Sequence, residues 1–127
     1  MHEQRILVID DEAPVRRFFD RTLRHLHYLV DLVSSGKEGL NQYQKETYDV
    51  VLVDLKMPDM DGIEVLHQLK ALDEDVVVIV VTGYGTIDVA VQTMKAGADD
   101  FLTKPVDIEV LEITLRRLIE NRRKSPK

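Results

Sequence analysis

The chain contains no cysteine, which excludes disulfides and every cysteine-liganded metal site. It has no apolar run long enough to span a bilayer, and its first residues (His2, Glu3, Gln4, Arg5) are polar, so neither a transmembrane segment nor a signal peptide is read. Internal repeats and low-complexity segments are missing as well. Basic residues number 17 against 23 acidic ones, a net charge of −6, which argues against nonspecific nucleic-acid binding by this chain. The histidines (His2, His25, His27, His67) are scattered without ligand spacing. What is present describes a soluble globular protein. The 127 residues are 44% apolar and 31% charged, enough for one domain with a proper core. A cytoplasmic location is expected.

The organising stretch runs from Tyr48 to Gly62. Val50 to Val53 are continuously apolar, as in a strand buried on both faces of a parallel sheet, and the run stops at Asp54. Pro58 and the Asp61-Gly62 pair then force a loop. Arg5 to Asp10 is a similar run ending in acid, followed by Asp11, Glu12 and a helix opening near Pro14 with Val15, Phe18, Phe19, Thr22, Leu23 and Leu26 on one face. Its opposite face carries Arg16, Arg17, Asp20, Arg21 and Arg24 and is either solvated or turned to a partner. Leu29 to Val33 reads as a strand. Ser34 or Ser35 caps a helix to about Glu46, with Leu40 and Tyr43 inward. Gly62 to Leu72 reads as a helix burying Val65, Leu66, Leu69 and Leu72.

Val76 to Val81 is the strongest strand signal and leads into Thr82. Thr86 caps a helix in which Ile87, Ala90, Val91 and Met94 share a face, and Gly97 ends it. Ala98 to Leu102 is a short fifth strand before Thr103-Lys104-Pro105. Asp107 caps a last helix with Ile108, Leu111, Leu115, Leu118 and Ile119 on one side. Strands alternating with helices imply an α/β fold: a flavodoxin-like (βα)5, doubly wound, parallel five-stranded sheet of order 2-1-3-4-5 with helices on both faces. Residues 1–121 form the domain. Residues 122–127 are a basic tail or the start of a linker.

Every strand of a parallel sheet delivers its carboxyl end to the same edge. Asp10 and Asp11, Asp54, Thr82 and Lys104 should therefore converge. Three carboxylates in one crevice require either a proton or a cation among them. Oxygen-only ligands suit Mg²⁺, while imidazole-preferring or soft metals are disfavoured. A divalent cation with a carboxylate, an ammonium and a hydroxyl is a phosphoryl-transfer arrangement, and Asp54, the lone acid on the central strand, is the candidate nucleophile. Asp59 and Asp61 are better explained by turn chemistry before Gly62.

At this point residues 5–120 resemble the receiver domains of two-component response regulators. The motifs are Asp10-Asp11, Asp54-Leu-Lys-Met-Pro-Asp-Met-Asp-Gly62, Thr82-Gly83 and Lys104-Pro105. The wording of Thr82 to Thr86 and of Met94 to Pro105 is most like the nitrogen-regulatory class, whose receivers usually precede a sigma-54-activating ATPase. The resemblance implies that Asp54 accepts a phosphoryl group from a sensor histidine kinase. Asp11 and Asp54 would bind Mg²⁺ directly with the main-chain carbonyl of Lys56, and Asp10 mostly through water. Lys104 would pair with the phosphoryl group and Thr82 would hydrogen-bond it. Phe101 would be the switch aromatic, unable to donate a hydrogen bond, and the Lys104-Pro105 bond would be cis. Lys56 and Tyr84 stand where the family tunes the lifetime of the phosphoryl group.

The implied output is a shift of the face formed by the fourth helix, fifth strand and fifth helix. That face would control an output domain beyond Lys127 or a separate effector, in transcriptional regulation, with a phosphorylation-dependent homodimer among the implied partners. No direct contact with nucleic acid or membrane is implied. The domain would be no enzyme beyond catalysing its own phosphorylation and dephosphorylation. A receiver of a hybrid histidine kinase or a stand-alone phosphorelay protein is the nearest alternative. A haloacid-dehalogenase-type phosphatase needs a second Asp two residues after the nucleophile, where this chain has Lys56. A flavodoxin-type carrier needs a phosphate-cradling first loop, which Asp10-Asp11-Glu12 would repel. A degenerate receiver would lack one of the acids or the lysine, and none is missing.

Overall fold

The computed structural model describes residues 3–124, with side chains through residue 122. Five strands alternate with five helices: β1 (Arg5–Ile9), α1 (Ala13–His25), β2 (Leu29–Val33), α2 (Gly36–Tyr43), β3 (Val50–Val53), α3 (Gly62–Leu72), β4 (Val78–Thr82), α4 (Ile87–Lys95), β5 (Asp100–Thr103) and α5 (Ile108–Lys124). All pairings are parallel and the order is β2-β1-β3-β4-β5, as the alternation predicts.

The period-2 side-chain alternation of a strand explains why Ile6 to Ile9, Val50 to Val53 and Val78 to Val81 of the three central strands are apolar without a break. Leu7, Ile9, Val51, Val53, Val78 and Val80 enter one core layer, where Leu40 of α2 and Val65, Leu66 and Leu69 of α3 meet them. Ile6, Val8, Val50, Leu52, Ile79 and Val81 enter the other, packed on Phe19 and Leu23 of α1 and Leu111, Leu115, Leu118 and Ile119 of α5. A charge in any of these runs would fall inside a core layer, so charge is admitted only at their ends.

Local capping sets where the helices begin. Ser35 accepts from Glu38 N, Asp61 from Glu64 N and Thr86 from Val89 N, each satisfying a donor that the first helical turn leaves free. Asp107 accepts from Glu109 N and Val110 N ahead of α5. Gly97 closes α4 at φ +109°, a conformation that favours glycine.

Several expectations need correction. α2 ends at Tyr43 rather than near Glu46, because Gln44 N and Lys45 N turn back to Asn41 and Gln42 carbonyls three residues behind. β4 starts at Val78 and β5 at Asp100. Ala98 N is still engaged by Thr93 O of the α4 terminus, and Asp99 Oδ2 accepts from Val78 N. Leu72 is 48% exposed rather than buried, since it is the last residue of its helix with no further turn to cover it; Ile108, the first residue of α5, is exposed to the same degree. The shared apolar face of α4 turns outward: Ile87 is 84% exposed, Val91 48% and Met94 44%. Thr93 occupies the inward side instead and is fully buried. α5 runs through residue 121 to Lys124, and Arg122 Nη1 donates to the carbonyls of Tyr48 and Asp49 at 3.1 Å, tying the helix to the start of β3. The rest of the basic tail, and His2, lie outside the described residues.

Candidate functional site

The carboxyl edge of the sheet gathers the side chains that the strand-end argument named. Asp10 follows β1 and is 2% exposed; Asp54 follows β3 and is 5% exposed. Their backbones are joined by Asp54 N donating to Ile9 O at 3.0 Å, which keeps the two strand ends in step at the point where the strand order reverses. Lys104 arrives from β5, and its Nζ lies 2.9 Å from Asp10 Oδ2 and 3.4 Å from both Asp54 Oδ2 and Glu12 Oε1. Lys104 N also donates to Thr82 O at 2.9 Å, which ties the end of β5 to the end of β4. The Lys104-Pro105 peptide is cis, as the resemblance implies.

A crevice of about 720 Å³ opens above these groups, lined by Asp11, Glu12, Asp54, Lys56, Met57, Pro58, Asp61, Gly83, Tyr84 and Lys104. Gly62 packs against the backbone of Asp54 and Leu55. Its N–H donates to Leu55 O at 2.7 Å, and a Cβ on it would stand 2.4 Å from Asp54 O. Helix α3 can start this close to the end of β3 only with glycine there.

These observations define a buried acid at the tip of the central strand, an ammonium that reaches it from the last strand, and a crevice beside them. The response regulator receiver domain family matches residues 6–116 of the chain. The chain belongs to that family. The receiver is 38% identical to the transcriptional regulatory protein ZraR of Escherichia coli K12 over 114 residues, covering 90% of this chain and 26% of that protein. It therefore spans about a quarter of the length of that relative. Among solved structures it is similar to a CheY-like receiver domain protein from Methanospirillum hungatei JF-1, at TM-score 0.92 and 30% identity, covering 97% of this chain and 98% of that one. It is similar also to the beryllofluoride-activated NtrC4 receiver domain dimer, at TM-score 0.88 and 33% identity, covering 93% and 98%.

The electrostatics of the receiver's site follow from its burial. Asp54 is pushed above the ordinary carboxylate value, first by desolvation; Asp10 adds repulsion, while Lys104 and the Lys56 backbone N–H pull the other way. Burial alone would depress Lys104. The hydrogen bond and charge of Asp10, with the charge of Asp54 and the contact to Glu12, more than offset it, and Lys104 is raised. Asp10, Glu12 and Asp54 each present a carboxylate oxygen within 4.8 Å of the others. With Lys104 as their shared ammonium, these three acids form an oxygen set that could hold a metal ion.

Not every expected residue stands where the sequence suggested. Asp11 lines the crevice, yet the tight acid cluster holds Glu12 in its place. Thr82 is fully buried and does not line the crevice; its Oγ1 accepts from Tyr84 N at 3.1 Å, which leaves the hydroxyl proton to donate elsewhere. Phe101 is half-buried against the core layer, and its ring edge would lie 3.1 Å from a Cβ placed on Gly85, so it packs beneath the loop that follows Thr82. Lys56 Nζ sits 4.0 Å above the Tyr84 ring, a cation–π contact at the crevice mouth.

Three residues were not recognised from sequence. In the sequence Glu12 counts only as the residue after the acidic pair and as part of a first loop that would repel a phosphate. Arg16 was placed on the polar face of α1, whereas its Nη1 donates to Asp10 O at 2.8 Å and fixes the end of β1. Asp59 accepts from Gly36 N at 3.1 Å and Lys37 N at 3.0 Å, and so serves the first turn of α2. These donors, Lys37 first, hold its carboxyl below the usual range. A third acid directly after a strand-end pair was the one signal that could have marked Glu12.

Proposed function

We propose that Asp54 of this receiver accepts a phosphoryl group from the phosphohistidine of a sensor kinase in the cytoplasm, and that the modification switches a transcriptional output. The observation that carries the reading is the Asp54 carboxylate: 5% exposed at the tip of β3, 3.4 Å from the Lys104 ammonium, and open to the crevice on one side. An Asp54 oxygen forms a bond to phosphorus as the phosphorus–nitrogen bond breaks. The imidazole leaves with the bonding pair, neutral because its other nitrogen holds the proton.

Asp10, Asp11 and Asp54 with the Lys56 main-chain carbonyl would hold Mg²⁺, which neutralises phosphoryl oxygens when bound. Lys104 neutralises a further oxygen as a point charge. The Thr82 hydroxyl turns from Tyr84 N toward the phosphoryl group and draws its loop inward, and Phe101 fills the space beneath that loop by packing alone.

Two surfaces suit the partners. Beside the crevice, Pro14, Val15, Phe18 and Phe19 of α1 with Pro105 and Val106 line an apolar groove of about 240 Å³, where a kinase would dock next to Asp54. On α4 and α5, Ile87, Val91, Met94, Val110 and Ile113 are exposed apolar side chains. They give an output domain or a second copy of the domain a surface to read. The name of ZraR, a transcriptional regulatory protein, favours regulatory output over the hybrid-kinase alternative.

Amide chemical shifts test the whole sequence of events. Mg²⁺ should move the amides around Asp10, Asp11 and Asp54. Beryllofluoride should then move Thr82, Lys104 and α4. Absence of a Mg²⁺ response at the acids, or of any α4 response to beryllofluoride, would overturn the reading.

A further inference from the structure

Glu12 occupies the N-cap position of α1, and its side chain accepts no bond from the first helical turn. Its carboxylate turns to Lys104 Nζ instead, at 3.4 Å. Lys104 is held by a short bond to Asp10 at 2.9 Å and stands equally far, 3.4 Å, from Glu12 on one side and Asp54 on the other. An ammonium has three protons to donate, so all three acids share it in this state. The two lateral acids differ in setting: the Glu12 side chain is 59% exposed and that of Asp54 6%.

We propose that Glu12 is a positioning residue for Lys104: it competes with Asp54 for the ammonium before phosphorylation and gives it up when Asp54 carries a phosphoryl group. The proposal rests on Asp54 being the phosphoacceptor. A phosphoryl group adds charge and acceptor oxygens on the Asp54 side only. Lys104 then moves toward Asp54, and the contact with Glu12 is lost. Glu12 thereby raises the free-energy difference that the phosphoryl group must overcome. Because Glu12 is mostly solvated, the competition is worth what an exposed ion pair is worth, so its removal should tighten phosphoryl-mimic binding by about two- to fivefold.

The test is calorimetric titration of beryllofluoride at saturating Mg²⁺ into the wild type, Glu12→Gln and Glu12→Asp. Gln keeps the shape and loses the charge; Asp keeps the charge and loses the reach to Lys104. With each protein held at its own saturating Mg²⁺, both variants should bind beryllofluoride about two- to fivefold more tightly than wild type. The proposal fails if neither variant differs from wild type. It fails too if only Glu12→Gln tightens, since Glu12 would then repel the anion through space without acting on Lys104. Weaker beryllofluoride binding by both variants at saturating Mg²⁺ would make Glu12 a ligand of the metal rather than a competitor for Lys104. Failure of the underlying reading looks different: wild type would not bind beryllofluoride at all, or Asp54→Asn would bind it as well as wild type.

Discussion

Replacing Gly62 by alanine sets two effects of opposite sign against each other. Helix propensity favours alanine in α3 by at most about 1 kcal/mol, a little less at the first helical residue than in the interior. The structure opposes it. A Cβ at this position would lie 2.4 Å from Asp54 O, 2.8 Å from Leu55 Cα and 3.0 Å from Asp54 C, all backbone atoms that no rotamer change can clear. Ordinary contact begins near 3.4 Å, so either the start of α3 or the end of β3 must withdraw by about 1 Å. The end of β3 is fixed by the Asp54 N to Ile9 O bond, and α3 is fixed by Gly62 N to Leu55 O at 2.7 Å. Overpacking of this kind costs about 1–3 kcal/mol, and a 1 Å displacement of a reacting group costs on the order of 100-fold in rate. Gly62→Ala should therefore lose about 1–2 kcal/mol in urea unfolding and slow phosphorylation of Asp54 by acetyl phosphate by one to two orders of magnitude. A variant that unfolds at equal or higher urea and is modified at the wild-type rate would refute the close packing of α3 on the backbone of Asp54 and Leu55.

Two further substitutions read other parts of the fold. Thr93 Oγ1 is buried and, among the described residues, meets no hydrogen-bond partner, while α4 shows its apolar face to solvent. Thr93→Val should raise the thermal midpoint by about 4 °C, near 1 kcal/mol, read by circular dichroism; a loss of stability would show that the hydroxyl is satisfied. Tyr43 donates to Asp73 Oδ2 at 2.7 Å, and that bond is the first cause holding the Asp73 carboxyl below its ordinary value of 3.8. A lowered carboxyl stabilises the fold above its unfolded value, and the contribution disappears as pH falls through the lowered one. Tyr43→Phe should then cost about 1 kcal/mol near neutral pH, after allowance for solvent screening, and progressively less once the pH drops below 3.8. A cost that stays constant down to pH 2–3 would remove the ionised Asp73 from the explanation.

The parts of this protein that sequence makes readable are those where one residue type breaks a pattern. Asp10 and Asp54 each end an apolar run, and a carboxylate cannot continue into a core layer, so the strand termini and the residues meeting there follow together. Lys104 is placed by its position after a short fifth strand. Ser35, Thr86 and Gly97 mark helix ends by chemistry that is local. The α4 face is a different matter. Periodicity groups Ile87, Val91 and Met94 on one side but does not say whether that side meets the sheet, and here it does not. Leu72 and Ile108 fit the helical period and are half-exposed, each at a helix end. Glu12, Arg16 and Asp59 act through side-chain directions that depend on neighbouring elements already being in place. Asp59 reaches α2 across 23 residues, a contact no local pattern encodes.

The central claim is that Asp54 is the group modified, with a divalent cation among the acids beside it. Intact-protein mass spectrometry after incubation with Mg²⁺ and acetyl phosphate tests it most directly. The account predicts one added phosphoryl group on the wild type, none on Asp54→Asn, and none when the metal is chelated. A phosphoryl group that persists in Asp54→Asn, or a wild type that never acquires one, would contradict it.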